Sequence, residues 1–139
     1  MNEAIDLAYD LVKEKCSKGG LDSLVANEKV LWLTLTALGF IQVEGLHGYL
    51  FWLCDDVPRE EVVDAFFDLG IEAPALDIVE AGEVLLTYLG QTTEAELCPD
   101  DLRRRHGQEL TLIEQRIYRL ESKINDSLLP IAQSILENR

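Results

Sequence analysis

A chain of 139 residues with 47% hydrophobic and 27% charged content is long enough for one domain with a real core and too short for two comfortable ones. Its 26 acids and 12 bases leave a formal charge of −14 and a pI near 4.4. Phosphate repels such a chain, which argues against direct nucleic-acid binding and against docking on an anionic membrane; the expected partners are basic.

Taken in order, the elements read as helices. Asn2 offers a cap, and Ile5, Ala8, Tyr9 and Val12 follow it on one amphipathic stripe that Gly19 and Gly20 stop. After a short helical turn near 21–25, Asn27 is a candidate cap for a second helix through Val30, Leu31, Thr34, Leu38 and Ile41, ending near Glu44 and Gly45. Trp32, Leu33 and Leu35 make this helix apolar on more than one face, so it is predicted to be the most buried. The run 45–53 (GLHGYLFWL) is too apolar for a surface helix and suits a short buried helix or a buried strand. The helix is preferred, since no second convincing strand exists to pair with it.

Asp56 precedes Val57 and Pro58, where proline suits a first helical turn; that helix is expected to reach Leu69, with Gly70 at C′. Its core face is Val62, Val63, Phe66 and Leu69 or Phe67. Pro74 opens the next helix in the same manner, predicted to bury Ala75, Ile78, Val79, Gly82, Leu85, Leu86 and Leu89 before Gly90. Residues 91–100 form a connector with one turn at 94–97. Pro99 can start a short basic helix holding Arg103, Arg104 and Arg105, and Ile113, Ile117, Leu120 and Ile124 mark another over 110–124. Ser127 is a candidate cap for a last helix through Leu136. The expected fold is all-α, a single-domain bundle of about six to eight helices over residues 1–139.

Cys16, Cys54 and Cys98 lie far apart, lack a C-x-x-C spacing and are odd in number, which fits a reducing compartment. Residues 1–15 carry four acids through their apolar pattern, unlike a secretory leader, and no apolar run approaches the eighteen or so residues a membrane span needs. The expected location is the cytoplasm.

Catalytic candidates are thin. His47 and His106 are the only histidines, far apart and without an H-E-x-x-H or comparable ligand spacing. No G-x-S-x-G, Walker, dinucleotide or EF-hand pattern occurs. His47 in its apolar run reads as a packed or helix-terminal histidine, and His106 beside three arginines as a solvated helix end. No enzyme activity, metal or cofactor is expected.

The charge is more informative, because it is local. Residues 44–100 hold fourteen carboxylates and one base, Arg59, while the rest of the chain is close to neutral. On the helix after Pro58, Glu60, Asp64 and Asp68 recur at i, i+4 and i+8 with Glu61 beside them. Such neighbours sit about 5–6 Å apart, and like charges there cost roughly 0.2–0.5 kcal/mol per pair. Asp77, Glu80 and Glu83 extend the same sign along the next helix with no lysine among them, and Asp55, Asp56 and Glu72 flank the array. Stability alone would not select this arrangement. Rows of carboxylates can instead occupy a basic surface tuned to duplex DNA, which carries one charge per ~1.7 Å of axis.

The segment GLHGYLF at 45–51, followed by AFFDLGI at 65–71 and IVEAG at 78–82, resembles the family of small acidic, all-helical bacterial proteins that includes DNA mimic protein 19. In that family a stretch of paired glycines with aromatic and polar residues precedes a helix ending in an apolar-Gly-apolar turn, then a second amphipathic helix. The resemblance covers roughly 27–89, with weaker similarity at 117–129. The chain departs from the family pattern at Glu44, where one of the paired glycines would fall, and at Gly48, where a glutamine is usual. The resemblance implies a helical fold, homodimerisation as an option, and, for the named member, capture of a DNA-binding transcription factor by a surface like duplex DNA.

Together these observations predict a non-enzymatic protein that binds the DNA-contacting surface of a basic protein, most simply a transcriptional regulator. Glu60, Glu61, Asp64, Asp68, Asp77, Glu80 and Glu83 would carry the contact, helped by Asp55, Asp56 and Glu72. The alternatives are an immunity-type inhibitor of a basic toxin nuclease, a small hydrolase or metal enzyme around His47, and an acidic scaffold that self-associates through Arg103, Arg104 and Arg105 together with the C-terminal helix.

Overall fold

In the computed structural model, which describes residues 2–52 and 57–139, the first helix starts where a side-chain oxygen is available to cap it. The Asn2 carboxamide accepts from the N–H groups of Ala4 at 2.9 Å and Ile5 at 3.4 Å, and α1 (Glu3–Gly19) follows. A 3-10 turn at Leu21–Ser23 leads into α2 (Ala26–Phe51). Then come α3 (Arg59–Asp68), α4 (Glu72–Gln91), a second 3-10 turn at Glu94–Glu96, α5 (Pro99–Arg119) and α6 (Glu121–Glu137). With six α-helices and no strand among the described residues, this is the all-α bundle that the periodicity predicts.

The long helix α2 is the hub. It packs against α1, α3, α4, α5 and α6, and α4 lies between α3 and α5 while α6 lies on α1. Leu31, Ala37, Ile41, Leu46, Tyr49 and Leu50 of α2 are buried. They meet Ile5 and Ala8 of α1, Phe66 of α3, Leu102, Ile113 and Ile117 of α5 and Leu128 of α6 in one core. The buried Thr34 hydroxyl donates to the Val30 carbonyl at 2.7 Å, so its polar atom is not left without a partner.

Several boundaries differ from the sequence-based expectation. The break at Gly45 is not among them: its backbone is non-helical and a short second segment runs on to Phe51, as expected, so α2 is two helical segments, and the last residue of the expected 45–53 segment lies outside the described ones. Taken across that break, α2 is by length and composition alone the one described helix long and apolar enough to cross a membrane. Its cap is Val25, not Asn27; the Val25 N–H donates to Glu28 Oε1 at 2.9 Å, and Lys15 holds the same oxygen at 2.8 Å, tying the end of α1 to the start of α2. α5 likewise joins two segments across a non-helical residue, His106 (φ −127°, ψ 16°): the expected basic helix from Pro99, and the expected helix of 110–124, which stops early at Arg119. The chain turns at Leu120, so α6 begins well before Ser127 and Pro130 falls inside it.

The bend in α2 has a local cause. Gly45 takes φ 76° and ψ 167°, a conformation essentially confined to glycine. The interrupted ladder leaves the Leu46 N–H without a helical acceptor, and Glu114 Oε1 of α5 takes it. A methyl at Gly45 would sit 2.6 Å from His47 Cε1 and 3.3 Å from Glu114 Oε1. Gly45→Ala should therefore lower stability by about 1–3 kcal/mol, seen as a drop in urea midpoint at constant m-value. Gly82→Ala, in mid-α4 with nothing within 4 Å of the added carbon, should raise it by about 0.4–1 kcal/mol.

Candidate acidic interaction surface

The sequence of α3 divides cleanly into two sides. Val62, Ala65 and Phe66 are buried, while Glu60, Asp64 and Asp68 are exposed and Glu61 is half-buried. The helix ends where Gly70, at φ 86°, takes the left-handed C′ position and the Ile71 N–H reaches back to the Phe66 carbonyl at 3.2 Å. Glu60 and Glu61 gain from the N-terminal dipole; Asp68, in the last turn, does not, and no base offsets it there. None of Glu60, Glu61, Asp64, Asp68 and Glu72 forms an ion pair among the described residues. Asp55 and Asp56 lie outside the described residues.

The acids of α4 do not form a single exposed row. Asp77 is only 8% exposed and faces α5, where Arg116 Nε donates to its Oδ1 at 3.0 Å. The other end of the same guanidinium donates to Glu80, leaving Glu72 and Glu83 as the exposed α4 acids without an ion pair. Helical phase explains the difference. Asp77 follows the buried Pro74 and precedes Ile78 and Ala81 on the inward side, whereas Glu83 lies with Glu72, Leu76, Val79 and Leu86 on the outward side. The same phase overturns part of the predicted core: Val79, Leu86 and Leu89 are exposed, Leu86 by 69%, and Leu76 by 57%. The outer face of α4 therefore alternates aliphatic side chains with carboxylates.

Other charges close on one another. Arg105 bonds Glu96 at 2.9 Å and Asp101 at 3.1 Å, Arg104 also bonds Asp101, and the Tyr88 hydroxyl donates to Asp101 Oδ2 at 2.8 Å. The Tyr88 bond, then those of the arginines, hold the Asp101 carboxyl below its usual pKa. That contribution is present at neutral pH and is lost as the solution is acidified through the lowered value. Two of the three arginines expected to be available for self-association are thus engaged within the connector and first turns of α5.

His47 is half-buried beside the α2 bend, in a hollow of about 340 Å³ shared with Glu44, Arg103, Thr111 and Glu114. Among the described residues no group of three or more histidines, cysteines and acids is placed to hold a metal ion. Glu114 is already committed to the Leu46 N–H. No family model, no curated protein and no solved structure matches the chain.

The sequence identified the α3 row because exposed charge at i, i+4 needs only helical phase. It missed the Arg116 clamp, which depends on how α5 lies along α4, and nothing in the local spacing of Arg116 signals it. Burial raises the Asp77 carboxyl above its ordinary pKa against the opposing pull of Arg116. A raised folded-state value means that the folded protein holds a proton the unfolded chain releases, so this group's stabilisation falls as pH rises through that value. Removing the guanidinium exposes the full effect. Arg116→Met should lower the urea midpoint at neutral pH and do so distinctly less near pH 4, measured by denaturant unfolding at both. Arg104→Met, at a site 72% exposed, should leave the midpoint nearly unchanged.

Proposed function

We propose that the protein is a non-catalytic, cytoplasmic inhibitor or modulator that binds the DNA-contacting surface of a basic protein, most simply a transcriptional regulator. The observation that carries this is the set of exposed carboxylates on α3 and the start of α4, Glu60, Asp64, Asp68 and Glu72, which no base neutralises among the described residues. Glu61 and Glu83 extend it, while Asp77 serves the α4 to α5 contact. The family resemblance supports the same reading. Fixed anions of this kind act mainly by steering a basic partner and raising its association rate.

The aliphatic residues between the α4 acids qualify what kind of mimic this is. A phosphate backbone has no counterpart to Leu76, Val79 and Leu86, but protein interfaces join an apolar centre to a charged rim. The partner would then meet carboxylates with basic side chains and meet the α4 face with apolar ones. An immunity-type inhibitor of a nuclease satisfies the same description. The two readings part on the identity of the protein retained.

Two sets of variants separate the contributions. Glu60→Gln, Asp64→Asn and Asp68→Asn together should leave folding intact, slow partner association and flatten its dependence on salt; unchanged affinity and salt dependence would refute the proposal. Leu76→Ser with Leu86→Ser should instead accelerate dissociation and leave the salt slope alone. Both are read by immobilising the protein, capturing from lysate at low salt, and eluting with duplex DNA. A retained protein that duplex DNA fails to displace counts against DNA mimicry.

A further inference from the structure

A second surface, independent of the acidic one, lies along α2. Its most apolar eighteen residues have a mean hydropathy of 1.3, yet only 39% of them are buried. The uncovered side forms a cleft of about 740 Å³ walled by α1, α2, the end of α5 and the start of α6; no residue of α3 or α4 lines it. From Trp32 to Glu44 the α2 wall runs about 18 Å at the usual helical rise.

The lining is aromatic and arranged in two stations. Tyr9 and Trp32 stack with ring centroids 5.5 Å apart, and further along α2 Phe40 and Trp52 stack at 4.1 Å with planes 1° from parallel. Between them the Tyr9 and Thr36 hydroxyls bond each other at 2.8 Å, so this part of the wall already satisfies its polar atoms and favours an apolar occupant. Val43 projects at the rim, 80% exposed. The charged groups of the lining are Asp6, Glu44 and Glu121 against Lys13, and none of the four forms an ion pair among the described residues.

From this geometry we infer that the cleft is a binding site for a small, elongated amphiphile with an apolar body and a cationic head. Its volume falls within the ~300–1,000 Å³ typical of small-molecule sites and is lined as they are, mostly by apolar and aromatic groups with a few polar ones. The apolar body lies along α2 between the two stacked pairs. The head meets the excess carboxylates, and the aromatic faces beside them add attraction for a cation. A second copy of the chain would bring the same surplus of acids against the cleft.

The protein reports on its own cleft, because Trp32 and Trp52 are its only two tryptophans and both line it. The test titrates the purified protein with decyltrimethylammonium, decyl sulfate and neutral decyl maltoside, each below its micellar concentration, and follows tryptophan emission. The ammonium probe should saturate at one site and bind about tenfold more tightly than the sulfate. Gly39→Leu fills the cleft from a helical position where an added Cβ meets nothing within 4 Å. It should weaken all binding about tenfold or more without lowering Tm.

Asp6→Asn with Glu121→Gln should weaken the ammonium probe alone and leave the maltoside unchanged. Equal binding of ammonium and sulfate, or a Gly39→Leu protein that still binds, overturns the proposal. So does a tryptophan response confined to a basic amphipathic peptide, or a Gly39→Leu effect on oligomeric state in place of probe affinity. The proposed basic partner plays no part in this titration, so failure here leaves that reading standing.

Discussion

The constraint behind the whole architecture is α2, 26 residues in two helical segments either side of Gly45, with apolar side chains on every face. An amphipathic helix needs one neighbour; a helix that is apolar all round needs several, or the hydrophobic surface it leaves in water costs roughly 25 cal/mol per Å². Five helices meet α2, α5 and α3 most extensively. The two bends lie close together because Glu114 of α5 caps the backbone that Gly45 interrupts and lines the same hollow as Gly107, next to His106. The distortion in α2 is therefore resolved by α5.

Charge is distributed on a different principle. The bases of α5 are used where they secure contacts: Arg116 clamps Asp77 and Glu80 across to α4, and Arg105 with Arg104 fastens the connector through Glu96 and Asp101. The acids of α3 receive none of them. Repulsion between Glu60, Asp64 and Asp68 costs roughly 0.2–0.5 kcal/mol per adjacent pair, small beside a domain stability of about 5–15 kcal/mol. The surplus therefore persists on α3 without threatening the fold.

How much of this was legible in the sequence depends on whether a feature is local. The caps at Asn2 and Gly70, the inward faces of α1 and α3 and the exposed row on α3 all follow from helical period and from side chains within one turn. The break at Gly45 was legible from its glycine, and that near His106 from the separate periods on either side of it. The early start of α6 was not, because the turn at Leu120 carries no glycine, proline or side-chain cap. The α4 error has a different origin. Its sequence is apolar on both sides, so phase alone cannot tell whether Val79 and Leu86 or Ala81 and Leu85 face inward, and the position of α5 decides it.

That ambiguity in α4 and the excess apolarity of α2 are two forms of one surplus. A chain of this size has too few helices to cover every apolar face, because a small domain buries a smaller fraction of its surface than a large one. Where the surplus lies on the convex outer side of a helix, as at Leu76, Val79 and Leu86, it is interleaved with carboxylates that keep it hydrated. Where it lies in the concave angle between helices, Trp32 stacks on Tyr9 of α1, and Phe40 pairs with Trp52 just past the end of its own helix, leaving a cleft of about 740 Å³. Both surfaces place acids beside apolar groups. Each surface is thus electronegative, and they differ in curvature, convex along α4 and concave beside α2.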